Sequence, residues 1–387
     1  MSTLANARRW LLPLTAALAV TLFLVACGSS SSSSSTTSSS ASGTSTGASA
    51  STGTRSAAFT RDFTKWSTPP SQIPVSTALP KPAPKGMSIA YITCGLPTCT
   101  TISNSVKSAA QTLGWKFTAL GSQPTPEAIK AAWGQAVRLH PDAVFASGFP
   151  SSVFAPELAE LHKMGVGVFN CCAPDKVGNG ITFLAVTPTD ETVQGHYIAA
   201  LAAKFAKGTP NVLFVNLPEF ATIQTQYPDF VSALEEYAPG AKQVKINIPN
   251  SAIGTTSAGT IVSYLRSHPD INYVALSQDA LSAGLPAAMK AAGLNIPFSG
   301  DGGGPQPREL VATGQQAGSV EFPIDQVFYT MVDAFIRWKE GASMQPDQAA
   351  LKPPPYMLIT KANVNSTPTT IVPDLKQKYA QLWGVQQ

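Results

Sequence analysis

The stretch SHPDINYVALSQDALSAGLPAAMKAAG, residues 267–293, contains the unit from which the fold is read. YVALS (273–277) is a short β-rich run, apolar up to its last residue, as in a strand buried on both faces. Residues 279–292 follow with helical spacing and stop at Gly293. A strand, a tight loop and a helix make half of a βαβ crossover, and the same order recurs on either side. Upstream stand NVLFVN (211–216), a helix over 229–237, VKINI (244–248) and a helix over 257–267. Downstream stand IPFSG (296–300), SVEFP (319–323) and a helix over 326–340. Strands alternating with helices predict a parallel sheet covered on both faces.

An earlier set repeats the pattern. SIAYITC (88–94), KFTAL (116–120), AVFAS (143–147), VGVFN (166–170) and ITFLAV (181–186) read as strands. Helices are expected over 104–113, ended by Gly114, over 126–139, with Thr125 as N-cap and Glu127 in the first turn, and over 153–164. A helix over 190–207 restarts the alternation. The two sets predict two α/β lobes, and the roughly 300 residues from Gly86 onward are enough for about two domains. In open α/β sheets ligands sit beyond the C-terminal strand ends, so two facing lobes would share one ligand in the cleft between them.

The ends of the chain carry other information. Arg8 and Arg9 precede an apolar run over 10–26 that stops at Cys27, too short for a comfortable membrane span. The run reads as a signal peptide (1–27), and LVAC (24–27) resembles a lipobox, which implies lipid on Cys27 and a membrane-anchored protein outside the cytoplasm. Residues 28–53 are Ser, Thr, Gly and Ala apart from nothing else. They cannot bury apolar surface to oppose chain entropy, so 28–56 reads as a tether. Residues 57–85, with Phe59, Phe63, Trp66 and several prolines, read as an extended arm along the folded body. Net charge is +4 from 26 basic and 22 acidic residues. No basic patch interleaved with aromatics is present, which argues against nucleic acid as a partner.

Taken in order, SIAYITC, TISNSVKSAAQTLGWKFTAL, AVFASG, GVGVFN, DETVQGHYIAALAAKF, the 267–293 stretch and IPFSGDGGGP are similar to the periplasmic sugar-binding proteins of the ribose-binding type. The resemblance covers nearly all of 86–359. It implies the type I periplasmic binding protein fold: two doubly wound parallel-sheet lobes joined by a three-strand hinge. Lobe 1 would hold 86–187 plus 322–350 and lobe 2 would hold 188–321 plus 351–387, with crossovers near 187–189, 322–325 and 348–352. It further implies a monomeric solute-binding component of an ABC importer. Such a protein closes on a carbohydrate or similar small polar solute and presents it to a membrane permease. A sensory receptor of the same fold, reporting to a membrane kinase or chemoreceptor, is the second reading.

The resemblance also implies a ligand set. Gln278 and Asp279 stand where the family has a ligand-binding amide and carboxylate, although Asp279 is equally placed to cap the helix after it. Asp301 matches an aspartate that takes sugar hydroxyls. Glu321 falls where the ribose-binding type carries a glutamine near the second crossover. Ser147 and Phe149 follow the third strand at a position that often touches ligand. Gln226, or Gln224, falls near a family arginine that is absent here. The family's Asp-Arg pair after the fourth strand is also absent, and Cys171 and Cys172 occupy its place. These departures argue against a simple pentose.

Cys94, Cys99, Cys171 and Cys172 form an even set in an oxidising compartment, so disulfides are expected. Three pairings exist, and local proximity favours Cys94 with Cys99 and Cys171 with Cys172. Adjacent Cα atoms lie about 3.8 Å apart, under the usual disulfide range, and a vicinal bond closes almost no loop. A rigid sulfur wall facing a ligand is therefore a better reason for it than stability. Adjacent cysteines fit a tetrahedral zinc site badly, so no metal is expected. GDGGG (300–304) lacks the Lys-Ser/Thr of a phosphate loop, no dinucleotide fingerprint follows the first strand, and no cofactor is expected. His140, His162, His196 and His268 fall in helical or helix-end patterns, leaving no base beside a thiol and no case for an enzyme.

Overall fold

The computed structural model describes residues 54–121, 123, 125–345 and 355–385. The expected leader with Cys27, the tether up to residue 53 and the third crossover near 348–352 lie outside the described residues. Eleven strands are described: β1 (Ser88–Ile92), β2 (Lys116–Leu120), β3 (Ala143–Ser147), β4 (Gly167–Cys171), β5 (Phe183–Leu184), β6 (Asn211–Asn216), β7 (Lys242–Asn247), β8 (Tyr273–Leu276), β9 (Phe298–Asp301), β10 (Gly318–Glu321) and β11 (Met357–Thr360). The helices are α1 (Ala57–Trp66), α2 (Pro97–Thr112), α3 (Pro126–Leu139), α4 (Ala155–Lys163), α5 (Pro188–Thr192), α6 (Gln194–Phe205), α7 (Gln226–Tyr237), α8 (Ser257–Ser267), α9 (Leu285–Ala291), α10 (Pro305–Ala312), α11 (Ile324–Lys339) and α12 (Leu375–Leu382).

Two sheets result. The first runs β2-β1-β3-β4-β5 and is parallel throughout. The second runs β11-β10-β9-β8-β6-β7 and is parallel except for the antiparallel pair of β10 with β11. In each, the strand order reverses direction once, between β1 and β3 and between β6 and β8. Those are the points at which neighbouring crossover helices lie on opposite faces and leave a crevice. The chain passes from the first sheet to the second between β5 and α6, and back between β10 and α11. On return, α11 packs on the first lobe: Phe328 meets the Tyr91 ring edge-on at 6.3 Å, Phe335 meets Trp115 at 5.3 Å, and Tyr329 donates its hydroxyl to Ser108 Oγ at 3.0 Å.

Local chemistry explains most boundaries. In α3, Thr125 Oγ1 accepts from the Ala128 N–H at 3.3 Å, Pro126 fits the first turn, and Ile129, Ala132, Trp133 and Ala136 form one buried stripe. Helix α2 starts at Pro97, a full two turns before the expected start. The polar run TCTTISN reads as loop, but Cys99 and Ile102 are buried, and tertiary packing recruits the segment into the helix. The helix expected over 279–292 is instead a 3₁₀ turn over Asp279–Ser282 followed by α9, because Gly284 takes φ +74° between them.

The arm expected as extended begins as a helix, α1, capped by Ser56 Oγ at 3.1 Å from the Phe59 N–H. Trp66 stacks on Tyr197 of α6 at 4.1 Å and Phe59 meets Tyr237 of α7 at 6.2 Å, so α1 rests on the second lobe. The arm then crosses to the first lobe: the Thr77 carbonyl accepts from Arg337 of α11 at 2.5 Å, and the Pro84 carbonyl from Trp115 at 2.7 Å. The C-terminal residues were expected with the second lobe. Strand β11 does join the second sheet, but α12 and Trp383 pack on α11, with the Trp383 ring stacked on Tyr329 at 5.6 Å. Among the described residues no helix is long and apolar enough to cross a membrane.

Helices α6 and α7 approach closely at Gly195, where an added Cβ would stand 2.5 Å from both the Gln226 carbonyl oxygen and the Phe230 nitrogen. Backbone atoms cannot step aside as a side chain does. Gly195→Ala is expected to cost about 1–3 kcal/mol through forced helix separation, measured as a lowered urea midpoint. An unchanged midpoint would mean that the two helices can part freely.

Candidate functional site

A cavity of about 80 Å³ lies where the two lobes meet, with room for a small solute rather than a single water. Its lobe 1 wall comes from the β1/β3 reversal, with the first turn of α2 and the end of β3, and from the loop after β4: Cys94, Leu96, Thr98, Cys99, Ser147 and Cys172. Its lobe 2 wall comes from the loops after β6, β8 and β9, with Phe220, Ile223, Gln278 and Asp301 prominent. Phe322, on the crossover into α11, closes the space. Both sheets thus present their C-terminal strand ends, including both reversal points, to one partly open cavity. The lobes touch beside it, where Phe149 and Phe220 approach to 5.6 Å between ring centres.

The expected site residues divide into two groups. Ser147, Cys172, Gln278 and Asp301 line the cavity. Ser147 Oγ lies 3.0 Å from the Tyr91 hydroxyl. Asp301 is 1% exposed, and its Oδ2 accepts from Gln226 Nε2 at 2.9 Å. Gln226 itself is fully buried behind the wall. It also donates to Gln194 Oε1 at 2.5 Å, and Gln194, a lining residue, donates to the Tyr356 hydroxyl at 2.8 Å. A relay of amides from two α-helices and the Tyr356 hydroxyl, just before β11, therefore holds Asp301 in one orientation. Phe149 packs against Phe220 instead of facing the cavity, and Cys171 lies behind Cys172.

Asp279 and Glu321, expected at the ligand, do not line the cavity; they hold the loop that does. Asp279 accepts from the Gly303 N–H at 2.9 Å, from Gln316 Nε2 at 2.7 Å and from Ser319 Oγ at 2.6 Å. It caps no helix. Burial pushes its carboxyl above the ordinary carboxylate range against the pull of those three donors. Gly300 must lack a side chain here, since a Cβ would fall 2.1 Å from Asp279 Oδ1. Glu321 accepts from Arg308 Nε at 3.0 Å and from the Gly304 N–H at 3.4 Å. Arg308 in turn reaches the Thr367 and Pro368 carbonyls at 2.8 and 3.0 Å. The GDGGG run is thus fastened at its C-terminal end, at Gly303 and Gly304, by two buried carboxylates, and Asp301 and Gly302 line the cavity.

Burial pushes the Glu321 carboxyl up to about 7, Arg308 pulling it down and Asp279 adding to the rise. The folded chain therefore binds more protons at Glu321 than the unfolded chain, whose ordinary value is 4.5. The contribution is present in full below about pH 4.5 and is lost as pH rises to about 7. The melting midpoint is expected to decline over that window, and Glu321→Gln should flatten the decline. An equally steep fall in the variant would assign it to other groups.

The cysteines pair as favoured, Cys94 with Cys99 at 5.6 Å and Cys171 with Cys172 at 3.8 Å between Cα atoms. Cys172 adopts φ +58°, an uncommon value for a residue with a side chain. Three of the four, Cys94, Cys99 and Cys172, line the same cavity. Their common placement after β1 and β4 was readable from sequence. The lobe 2 contributors Phe220, Thr222 and Ile223 were not, although the run FATIQT follows a strand and so lies in a loop of the right kind. Among the described residues no group of His, Cys, Asp and Glu side chains could hold a metal ion.

Solved structures share this architecture. One is an ABC transporter periplasmic solute-binding protein from Actinobacillus succinogenes with bound D-allose, at 16% identity and TM-score 0.60 over 72% of this chain and 99% of that one. Another is a carbohydrate transporter from Acidothermus cellulolyticus in complex with myo-inositol, at 19% identity and TM-score 0.62 over 73% and 96%. A third is an ABC transporter solute-binding protein from Agrobacterium vitis with bound allitol, at 18% identity and TM-score 0.60 over 73% and 97%. No protein-family model and no curated protein matches the chain. At these identities the likeness is one of fold: the chain has the two-lobed α/β fold of the periplasmic sugar-binding proteins.

Proposed function

We propose that this chain is the solute-binding component of an ABC importer. It is held outside the cytoplasmic membrane by lipid on Cys27, with 28–53 as tether, since Arg55 and Ser56 of the expected 28–56 segment already bond to Gly208 and Tyr237 of the second lobe, and works as a monomer that binds a small hydroxyl-bearing solute without turning it over. One observation carries the reading: a single cavity receives the strand-end loops of both lobes, so a solute there touches both at once. Contacts that exist only when the lobes are together give the closed form its higher affinity, and that difference drives closure. The crossovers near 187–189 and 322–325, with a third near 348–352, act as the hinge. Phe322 sits on one of them and on the cavity wall, which couples ligand contact to hinge position. The lining includes no His, Lys or Arg, so no cationic electrophile faces a bound solute, and its one carboxylate, Asp301, is engaged by Gln226.

The test is a titration of the full-length chain with sugars, polyols and small ring alcohols, without reductant. A solute at about a hundred times its dissociation constant is expected to add about 2.7 kcal/mol of stability. Small-angle scattering should show a smaller radius of gyration with ligand. The solute should be recovered unchanged, and cells lacking the chain should lose its uptake. Chemical conversion of the solute would replace the receptor with an enzyme.

A further inference from the structure

The reading above makes the cavity a solute site; the distribution of its polar atoms specifies the solute further. Six of the lining side chains are polar: Thr98, Ser147, Gln194, Thr222, Gln278 and Asp301. Most already bond within the protein. Gln194 engages Gln226 and Tyr356, Ser147 engages Tyr91, Thr222 donates weakly to the Cys172 carbonyl at 3.5 Å, and Asp301 engages Gln226. Thr98 and Gln278 are the lining side chains whose polar atoms make no hydrogen bond among the described residues. They stand together. A Cβ at Gly302 would lie 2.9 Å from Gln278 Oε1 and 3.6 Å from Thr98 Oγ1, and Asp301 is the preceding residue.

Much of the rest of the lining is apolar. A Cβ at Gly148 would lie 3.4 Å from Cys94 Cβ and 3.5 Å from the Phe220 ring. Leu96, Cys99, Ile102, Cys172, Ile223 and Phe322 continue that surface. The cavity is therefore mostly apolar, with Thr98, Gln278 and Asp301 gathered at Gly302, while Ser147, Thr222 and Gln194 bond within the protein. A sugar or inositol carries a hydroxyl on nearly every ring carbon, each both donor and acceptor. Hydroxyls turned to the apolar wall would lose their water and gain no partner, an unfavourable exchange. Asp301 is the only charged residue of the lining, which also disfavours anionic solutes.

We infer that the solute is a small ring with one apolar face and two or three hydroxyl or amine groups along a single edge, an alicyclic diol or a phenol, and not a fully hydroxylated sugar. The edge meets Asp301, Gln278 and Thr98, and the ring lies against Phe220, Phe322 and the paired cysteines. The experiment is calorimetric titration of the oxidised full chain with cis-cyclohexane-1,2-diol and catechol against myo-inositol and D-ribose. The diols are expected to bind at least about tenfold more tightly than the polyhydroxylated pair. Gln278→Ala should weaken the diols and leave the melting midpoint of the free protein unchanged. Tighter binding of inositol or ribose overturns the solute class while the receptor stands. Silence from all four overturns the receptor reading together with the class.

Discussion

Asp301→Ala is expected to weaken solute binding about 10- to 100-fold while the chain remains folded. The carboxylate ends β9, at the edge of the cavity, and is almost wholly buried. The Gln226 amide turns it toward the cavity from behind. A hydrogen bond from a solute hydroxyl or amine to a charged acceptor contributes roughly 1.5–3 kcal/mol, the source of that range. Asp301→Asn is the control, because it keeps an acceptor for Gln226 and removes the charge; binding intermediate between the two is expected. Circular dichroism and the melting midpoint report the fold, and calorimetry against the tightest member of the solute panel reports binding. Wild-type affinity in Asp301→Ala would remove Asp301 from the site and leave Gln278 and Thr98 as its polar edge.

The largest effect on stability is expected from Asp333→Ala. Asp333 and Arg337 sit one turn apart on α11, with Arg337 Nε donating to Asp333 Oδ2 at 2.6 Å and the side chains 1% and 2% exposed. Asp333 Oδ1 also accepts from Trp383 Nε1 at 3.1 Å, and Arg337 donates to the Thr77 carbonyl. One ion pair thus joins the helix that returns to lobe 1, the N-terminal arm and the C-terminal tryptophan. Removing the carboxylate leaves a guanidinium charge buried without its counter-ion, which costs about 3–5 kcal/mol. The apolar double replacement Asp333→Leu with Arg337→Met removes both charges and is expected to cost far less. Urea unfolding of the two variants separates the cases. A loss under about 1 kcal/mol in Asp333→Ala would mean that water reaches Arg337.

Much of the fold is legible because its signals are local. Thr125, Pro126 and the 129–132–133–136 stripe announce α3 without help from the rest of the chain. The inner strands β1, β3 and β8 read as nearly uninterrupted apolar runs because both faces are covered, whereas the edge strands β2 and β7 carry lysines and are partly exposed. Where reading failed, a distant contact had overruled a local preference. The first two turns of α2 look like a polar loop until Cys99 and Ile102 are buried. The arm looks extended because of its prolines, yet 57–66 coils so that Trp66 can lie on Tyr197. At the candidate site, Asp301, Gln278, Ser147 and Cys172, expected from their strand-end positions and the family resemblance, line the cavity. Asp279 and Glu321 follow strands too, and nothing local distinguishes a carboxylate that faces a solute from one that ties down a glycine loop.

The sequence by itself determined two successive strand–helix sets, hence two parallel sheets, and the loops in which a ligand site must lie. These depend on periodicity and turn chemistry, which are written within about ten residues. Only the tertiary structure decided which loop residues share one cavity, which carboxylates remain available to a solute, and that three cysteines stand on its apolar wall. Those properties depend on distances between residues such as Thr98 and Gly302 that lie about two hundred positions apart. Such distances are set by how the two lobes pack, and packing is a property of the whole chain.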